Sequence, residues 1–548
     1  MRHLLIIVFL FLAGTLAHAA TYYVNQSQEA AQTPVAKGKL VNGQMRMIQP
    51  LVYTPAIIAP GSDSNDGSLS APFLTLQKGA FAASNLDTVV TYPGEYVEAV
   101  TNINPGVTYS FAGSVDSTVV SSFLINTNNV TISGNRALMV NGSNLVAGAS
   151  GIPINLKKGS RNIVIENLSI KNVANAFSVT NSIDPTGGCI ASESLGSGDP
   201  NQVSNIVVRG VTFTNTFTTA IQAHGSFWTI TNNFASDTNG YDVFRVLGSN
   251  FLIDNNTVSN WCPASATTRH SDFAQGFTDG GNKVTNVWIT RNKILNDIIQ
   301  NGVPAGLKLG NWSDPGNTNM QDVYYFGNAA SRVTGLNDIS APKVYHLYNT
   351  HFWCAQSGNP YSAAVNNDSS HGDGSEGRVI GDLVYCNGNN PGTNGFNANG
   401  YPATWPTNGQ PGTVSGFAVG NFYQDYCFMS GFSNAAKRIY PSAAKGFGSI
   451  FGTPGLTNDI HSINGGDPKF VLNTDYATTW LATGQLVIVA SDLALQSDSP
   501  CKGAGTNLTL WLGGVTNQAM LINAGVFQRD LLGNERPSTT NWTMGAIQ

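Results

Sequence analysis

The stretch Trp228-Thr-Ile-Thr-Asn-Asn233 and its near copy Phe251-Leu-Ile-Asp-Asn-Asn256, 23 residues later, decide the fold. In each, apolar and polar residues alternate, and a polar pair ending in Asn closes the run. Alternation at period two marks a strand with one buried face. A terminal Asn suits a bend, because its amide satisfies turn backbone groups and its backbone tolerates a left-handed φ. The pattern recurs at Val130-Thr-Ile-Ser-Gly-Asn135, Ile163-Val-Ile-Glu-Asn-Leu168, Ile206-Val-Val-Arg-Gly-Val211, Val287-Trp-Ile-Thr-Arg-Asn292, Val323-Tyr-Tyr-Phe-Gly-Asn328 and Val344-Tyr-His-Leu-Tyr-Asn349. Three neighbouring offsets are 22, 23 and 21 residues, and the others are longer by variable amounts. Such a step, with loops inserted, fits coils whose short strands stack about 4.8 Å apart. A propeller needs a longer, steadier repeat, and a leucine-rich repeat needs a Leu ladder that is absent.

The expected fold is therefore all-β: a right-handed parallel β-helix, a solenoid closed by an N-terminal capping helix and followed by an irregular C-terminal tail. Phe73, Leu76 and Ala80 in Pro72–Ala83 have helical spacing and supply the cap that an open solenoid end requires. Residues 20–86 form the N-terminal segment and cap, 87–450 the coils, and 451–548 a tail that packs on them. The insert at 25–60 has no assigned role.

Residues 1–19 read as an export signal: Arg2 and His3, an apolar run from Leu4 to Leu12, and the small-x-small site Ala17-His18-Ala19. The run is too short to span a bilayer. The mature chain is expected outside the cell or on its surface, as a monomer without a membrane span. Charged residues make up 11% and the net charge is −5, which excludes a general electrostatic attraction to nucleic acid. The six cysteines are widely spaced without a CxxC pair, which argues against zinc and leaves disulfides or buried thiols open.

Both ends of the chain resemble exported bacterial proteins with the pectate-lyase-like β-helix. The residues concerned are Gly61-Ser-Asp-Ser-Asn-Asp-Gly67 with Ala71-Pro-Phe-Leu-Thr-Leu-Gln77, Tyr92-Pro-Gly-Glu-Tyr96, Leu495-Gln-Ser-Asp-Ser-Pro500, and Asp530-Leu-Leu-Gly-Asn-Glu-Arg-Pro537 with Gly545-Ala546. The resemblance implies export, this fold and an extracellular polysaccharide as partner. It implies no single chemistry, since lyases, hydrolases and adhesins share the fold.

Aligning the coils on the strand before each Asn pattern superposes Thr219–His224, Asp242–Leu247, Asp272–Phe277 and Ala305–Leu309. In that register Ile221, Phe244, Ala274 and Leu307 point inward. Gln222, Arg245, Gln275 and Lys308 point outward, with Thr219, Asp242 and Asp272 in a second outward column. His224 and His270 stand nearby, and Trp261 and Trp312 flank the strip as sugar-stacking candidates. Resembling enzymes carry an His-x-Asp-x-x-Gln segment, which His270-Ser-Asp-Phe-Ala-Gln275 fits.

Elimination across a uronate requires its carboxylate to be neutralised and its C5 proton removed by a positioned base. Arg245, Lys308, His270 and Asp272 are the candidate catalytic residues. Gln222, His224, Gln275, Trp261 and Trp312 are the candidate sugar contacts. Asp242 and Asp272 are candidate ligands of calcium, the one cofactor the resemblance suggests. A lyase is favoured. The alternatives are a glycoside hydrolase with Asp242 and Asp272 as its carboxylate pair, and a non-catalytic adhesin or carbohydrate-binding solenoid. Against these stands a plain ion pair between Asp242 and Arg245.

Overall fold

The computed structural model describes residues 19–26, 38–41, 44–47, 60–101, 103–142, 152–173, 188–193, 199, 201–216, 218–238, 242–261, 271–277, 283–295, 307–313, 320–331, 335–339, 344–352, 366–367, 378–385, 423–426, 428–430, 463–464, 467–472, 489–508, 527–538 and 540–548. Their strands wind into one continuous sheet in which each strand pairs, parallel, with its counterpart one coil away. That pairing is the defining property of a parallel β-helix. Among the described strands, Gly38–Val41 and Gln44–Met47, inside the unassigned insert, pair antiparallel.

The first coil begins earlier than expected. Thr21–Val24 pairs in register with Thr88–Thr91, so this strand belongs to the solenoid rather than to a preceding segment. The cap is the helix Leu76–Ala82, which buries Leu76, Gly79 and Ala80. Its start is fixed by side chains. Thr75 caps Lys78, and the Glu98 carboxylate accepts from the amides of Leu76 and Gln77 at 2.7 and 3.0 Å. An anion is favoured at those unpaired helix N–H groups. The Asp63 turn contributes too, since Asp63 Oδ1 accepts from Leu74 and Thr75.

Inside, two apolar residues from each coil's strand stack on those of the next. Val130, Ile132, Ile163, Ile165, Ile206, Val208, Trp228, Ile230, Phe251 and Ile253 all belong to one core and are fully buried. The Asn pairs of the repeat divide their labour at the bend. The first member is left-handed: Asn232, Asn255, Arg291 and Tyr348 have φ of 55°, 53°, 50° and 56°. The second is buried and forms a ladder. The amides of Asn233, Asn256, Asn292 and Asn328 donate to the side-chain oxygens of Asn256, Asn292, Asn328 and Asn349, each at 2.9–3.0 Å. Asp382 ends the ladder by accepting from the Asn349 backbone at 2.7 Å.

The C-terminal residues dock on the later coils. Where they do, the outward strand column turns aromatic: Trp288 stacks on Tyr324 at 3.7 Å, and Tyr324 on Tyr345 at 4.7 Å. Phe527, Leu508 and Trp542 cover this stack. Buried Arg536 lies over the rings of Phe326, Tyr348 and Trp542 at 5.0–5.4 Å and donates to the carbonyls of Gly545 and Ala546. Cys189 and Cys501 are buried free thiols, whereas Cys262, Cys354, Cys386 and Cys427 lie outside the described residues. No helix among the described residues is long and apolar enough to cross a membrane.

Candidate functional site

The strands Thr219–Thr231, Phe244–Asp254, Ser271–Phe277 and Leu307–Ser313 carry the proposed strip. Their register confirms the inward stacking of Ile221, Phe244 and Ala274, and the outward stacking of Gln222, Arg245 and Gln275. The row in register with Gln222, Arg245 and Gln275 is longer than the sequence suggested. By backbone register it runs through Asn155, Ala191, Gln222, Arg245, Gln275, Asn311, Asp338 and Asn366, and Asn155, Ala191 and Gln222 in it are buried. Asn155 and Asp338 carried no local signal. Their place emerges only when loops of unequal length are removed from the count.

Lys308 is a correction. Its Cα partner is Asp272, while Gly310 takes the inward place expected of Leu307, and Asn311 takes the outward place expected of Lys308. The alignment slipped by three residues because the preceding loop left the strand start unmarked. At roughly 3.3 Å per residue and 4.8 Å per coil, Lys308 starts about 14 Å from Arg245.

The second outward column is also corrected. Asp242 and Asp272 are 1% and 0% exposed, and Thr219 is buried as well. They stand two residues before Phe244, Ala274 and Ile221, and side chains two apart share a face. The carboxylates therefore turn into the body of the coil rather than onto its surface.

There they build a buried support. Arg245 Nε donates to Asp242 Oδ2 at 2.6 Å, and the Asp272 backbone donates to Asp242 Oδ1 at 2.9 Å. Burial, and then the neighbouring Asp272 charge, push the Asp242 carboxyl up to about 6, against the pull of Arg245. The Arg245 side chain is 12% exposed, so it is largely enclosed beside its buried anchor, with a small part open to the surface.

Gln222 and His224 adjoin it one coil away. Gln222 Nε2 lies 3.1 Å from His224 Nε2, and Ser192 Oγ receives the His224 backbone N–H at 2.7 Å. Gln222 Oε1 is buried with no hydrogen-bond partner among the described residues. His224 is thus held in the wall. Trp261 and Trp312 are placed in strands by their backbone, at the ends of Thr257–Trp261 and within Leu307–Ser313. His270 lies outside the described residues.

Asp242 is a poor ligand for calcium. The ion takes about six to eight oxygen ligands, whereas both oxygens of Asp242 already accept from N–H groups, one of them on a cation. The described residues hold no metal-binding group of three or more His, Cys, Asp or Glu side chains.

No family model matches the chain, and no curated protein does. Among solved structures, XylC in complex with xylose is similar at 12% identity and a TM-score of 0.42, covering 89% of this chain and 97% of its own. A PL6 family polysaccharide lyase from Pseudopedobacter saltans is similar at 12% identity and a TM-score of 0.40, covering 70% and 96%. A rhamnogalacturonan lyase is similar at 13% identity and a TM-score of 0.32, covering 67% and 82%. At these values the likeness assigns no chemistry, and the fold rests on the strand pairing itself.

Proposed function

We propose that this protein is exported and binds an acidic polysaccharide along the row Asn155, Gln222, Arg245 and Gln275, with β-elimination at a uronate as its reaction. One observation carries the reading: a partly exposed arginine, oriented by a buried carboxylate, in register with the amide side chains Gln222 and Gln275. Arginine presents a rigid fork suited to carboxylates, and amides donate to and accept from sugar hydroxyls. Neutralising the uronate carboxylate acidifies its C5 proton, which is the step elimination needs. His270, two residues before Asp272, and Lys308, in register with it, are the candidate proton acceptors.

The buried state of Asp242 and Asp272 disfavours a glycosidase, whose carboxylates must reach the scissile bond. It equally favours a second reading, in which the row binds glycan without cleaving it, because both oxygens of Asp242 are committed to holding the scaffold.

Incubation with pectate, alginate and glycosaminoglycans, followed by the ultraviolet absorbance of unsaturated uronates and by affinity electrophoresis, tests both. New absorbance, abolished by Arg245→Ala, supports elimination. Binding without absorbance supports the second reading. Reducing ends without absorbance would restore the hydrolase, and absence of binding would end the proposal.

A further inference from the structure

One wall of the solenoid carries a column of left-handed residues, one per coil: Leu86, Gly106, Asn129, Asn162, Asn205, Phe227, Asn250, Asn286 and Asp322, with φ from 55° to 75°. Strand register places each on the next. Amide, carboxylate and glycine are the residue types that accept this conformation most readily. The amides also bond along the column. Asn162 donates to Asn129, Asn205 to Asn162, and Asn286 to Asn250, each at 2.7 Å.

Phe227 breaks this ladder in the middle. The run from Asn129 stops at Asn205. It resumes at Asn250, whose Nδ2 turns instead to Ser249 Oγ at 3.3 Å. Leu86, the other exception, stands at the capped end beside Gly106, where no amide contact is lost. A bulky side chain at positive φ is strained, and burial does not compensate here, because Phe227 is 57% exposed. Nor does its ring stack on another among the described residues.

The surroundings define what the ring would meet. Asn205 and Asn250 flank it one coil away on either side. Next to it, Ser204, Ser226, Ser249 and Thr285 form a column of hydroxyl residues. A protein interface core needs contiguous apolar area, whereas here one exposed ring stands among amides and hydroxyls, with only the half-buried Val164 and Val207 as further apolar side chains on the outward face. That combination suits a pyranose, which has an apolar C–H face for the ring and hydroxyls at its rim for the amides.

We propose that Phe227, with Asn205 and Asn250, forms a second carbohydrate contact, stacking on a pyranose unit of a bound polysaccharide. It lies on the strand that carries Gln222, beyond the bend at Gly225, where φ is 116°, so it belongs to the wall next to the Arg245 row. The inference rests on reading the chain as polysaccharide-directed.

The protein and its Phe227→Asn and Phe227→Trp variants are compared by affinity electrophoresis in pectate, alginate and xylan gels, by thermal unfolding and by sedimentation. Phe227→Asn restores the ladder residue, so its thermal midpoint should equal or exceed that of the wild type. Its affinity should fall on the order of tenfold, while Phe227→Trp retains binding. Wild-type binding that Phe227→Asn leaves unchanged overturns this contact alone. A lowered midpoint for Phe227→Asn makes the ring structural and also overturns it, as does loss of a dimer with glycan binding intact. If the wild type binds none of the three, the polysaccharide reading itself fails.

Discussion

The backbone N–H of Asp272 donates to Oδ1 of Asp242 at 2.9 Å, while Arg245 holds the other oxygen at 2.6 Å. One buried carboxylate therefore ties two coils together and fixes the Arg245 side chain. Removing it by Asp242→Leu leaves Arg245 without its buried anion and should cost about 3 kcal/mol at neutral pH. Denaturant unfolding of the two proteins measures this, and a difference near zero would show that the pair does not support the strip.

Asp272 acts on Asp242 through charge, and the sign of the effect is fixed. Asp242 titrates near 6 when folded, above its ordinary value of 3.8, so between those values the folded chain holds the extra proton. Its contribution to stability is therefore greatest below about 4 and is lost as pH rises through 6. Asp272→Asn removes the second cause of the shift. The slope of thermal midpoint against pH should flatten in that window, and an unchanged slope would contradict the coupling.

His346 works in the opposite direction. Burial first of all depresses it to about 4 from 6.5, while it stacks on Tyr325 at 4.8 Å. The unfolded chain then takes up the proton first, so this contribution is present above about 6.5 and is lost as pH falls toward 4. Of the neighbouring groups, Asp382 favours the charged ring and His351 opposes it. His346→Phe keeps the stack and should lessen acid sensitivity. Thermal midpoints at pH 7 and pH 4.5 check it.

The asparagine ladder predicts a local contrast. Asn292 accepts from the backbone and side chain of Asn256 and donates to the Ile253 carbonyl and to Asn328, all while buried. Asn292→Leu strands those partners and should destabilise by about 3 kcal/mol or more. Asn232→Gly, one place before the ladder at φ 55°, should change stability by a few tenths of a kcal/mol. Equal effects would refute the division of labour between the two Asn positions.

Arg536 supports the docked tail. Enclosed by Phe326, Tyr348 and Trp542, it should contribute about 2 kcal/mol through its desolvated ring contacts. Arg536→Ala should open the C-terminal residues to limited proteolysis and shift the emission of Trp288, now covered by Phe527. A proteolysis pattern like that of the wild type would place the tail's attachment elsewhere.

The coils were legible because the repeat is local. Alternation in Trp228–Ile230 specifies a strand, and the Asn pair specifies the bend, within a few residues of chain. Gln222, Arg245 and Gln275 were brought into one row correctly because each follows an apolar residue at a fixed offset. Lys308 was misplaced because it follows a loop whose length says nothing about where the next strand starts. The burial of Asp242 and Asp272 was in principle legible from their parity with Phe244 and Ala274. It was missed because a carboxylate reads as a surface group unless its partners are known.

By itself, then, the sequence determined that the chain is a stack of short parallel strands with asparagine bends and a capping helix. These follow from side-chain periodicity and backbone preference, both local properties. Only the tertiary structure decided which residues stand over one another across loops of unequal length. That placement put Lys308 beside Asp272, a buried anchor beneath Arg245, and Phe227 in a break of the amide column. Register along a solenoid is set by hydrogen bonds between coils, and no stretch within a single coil encodes it.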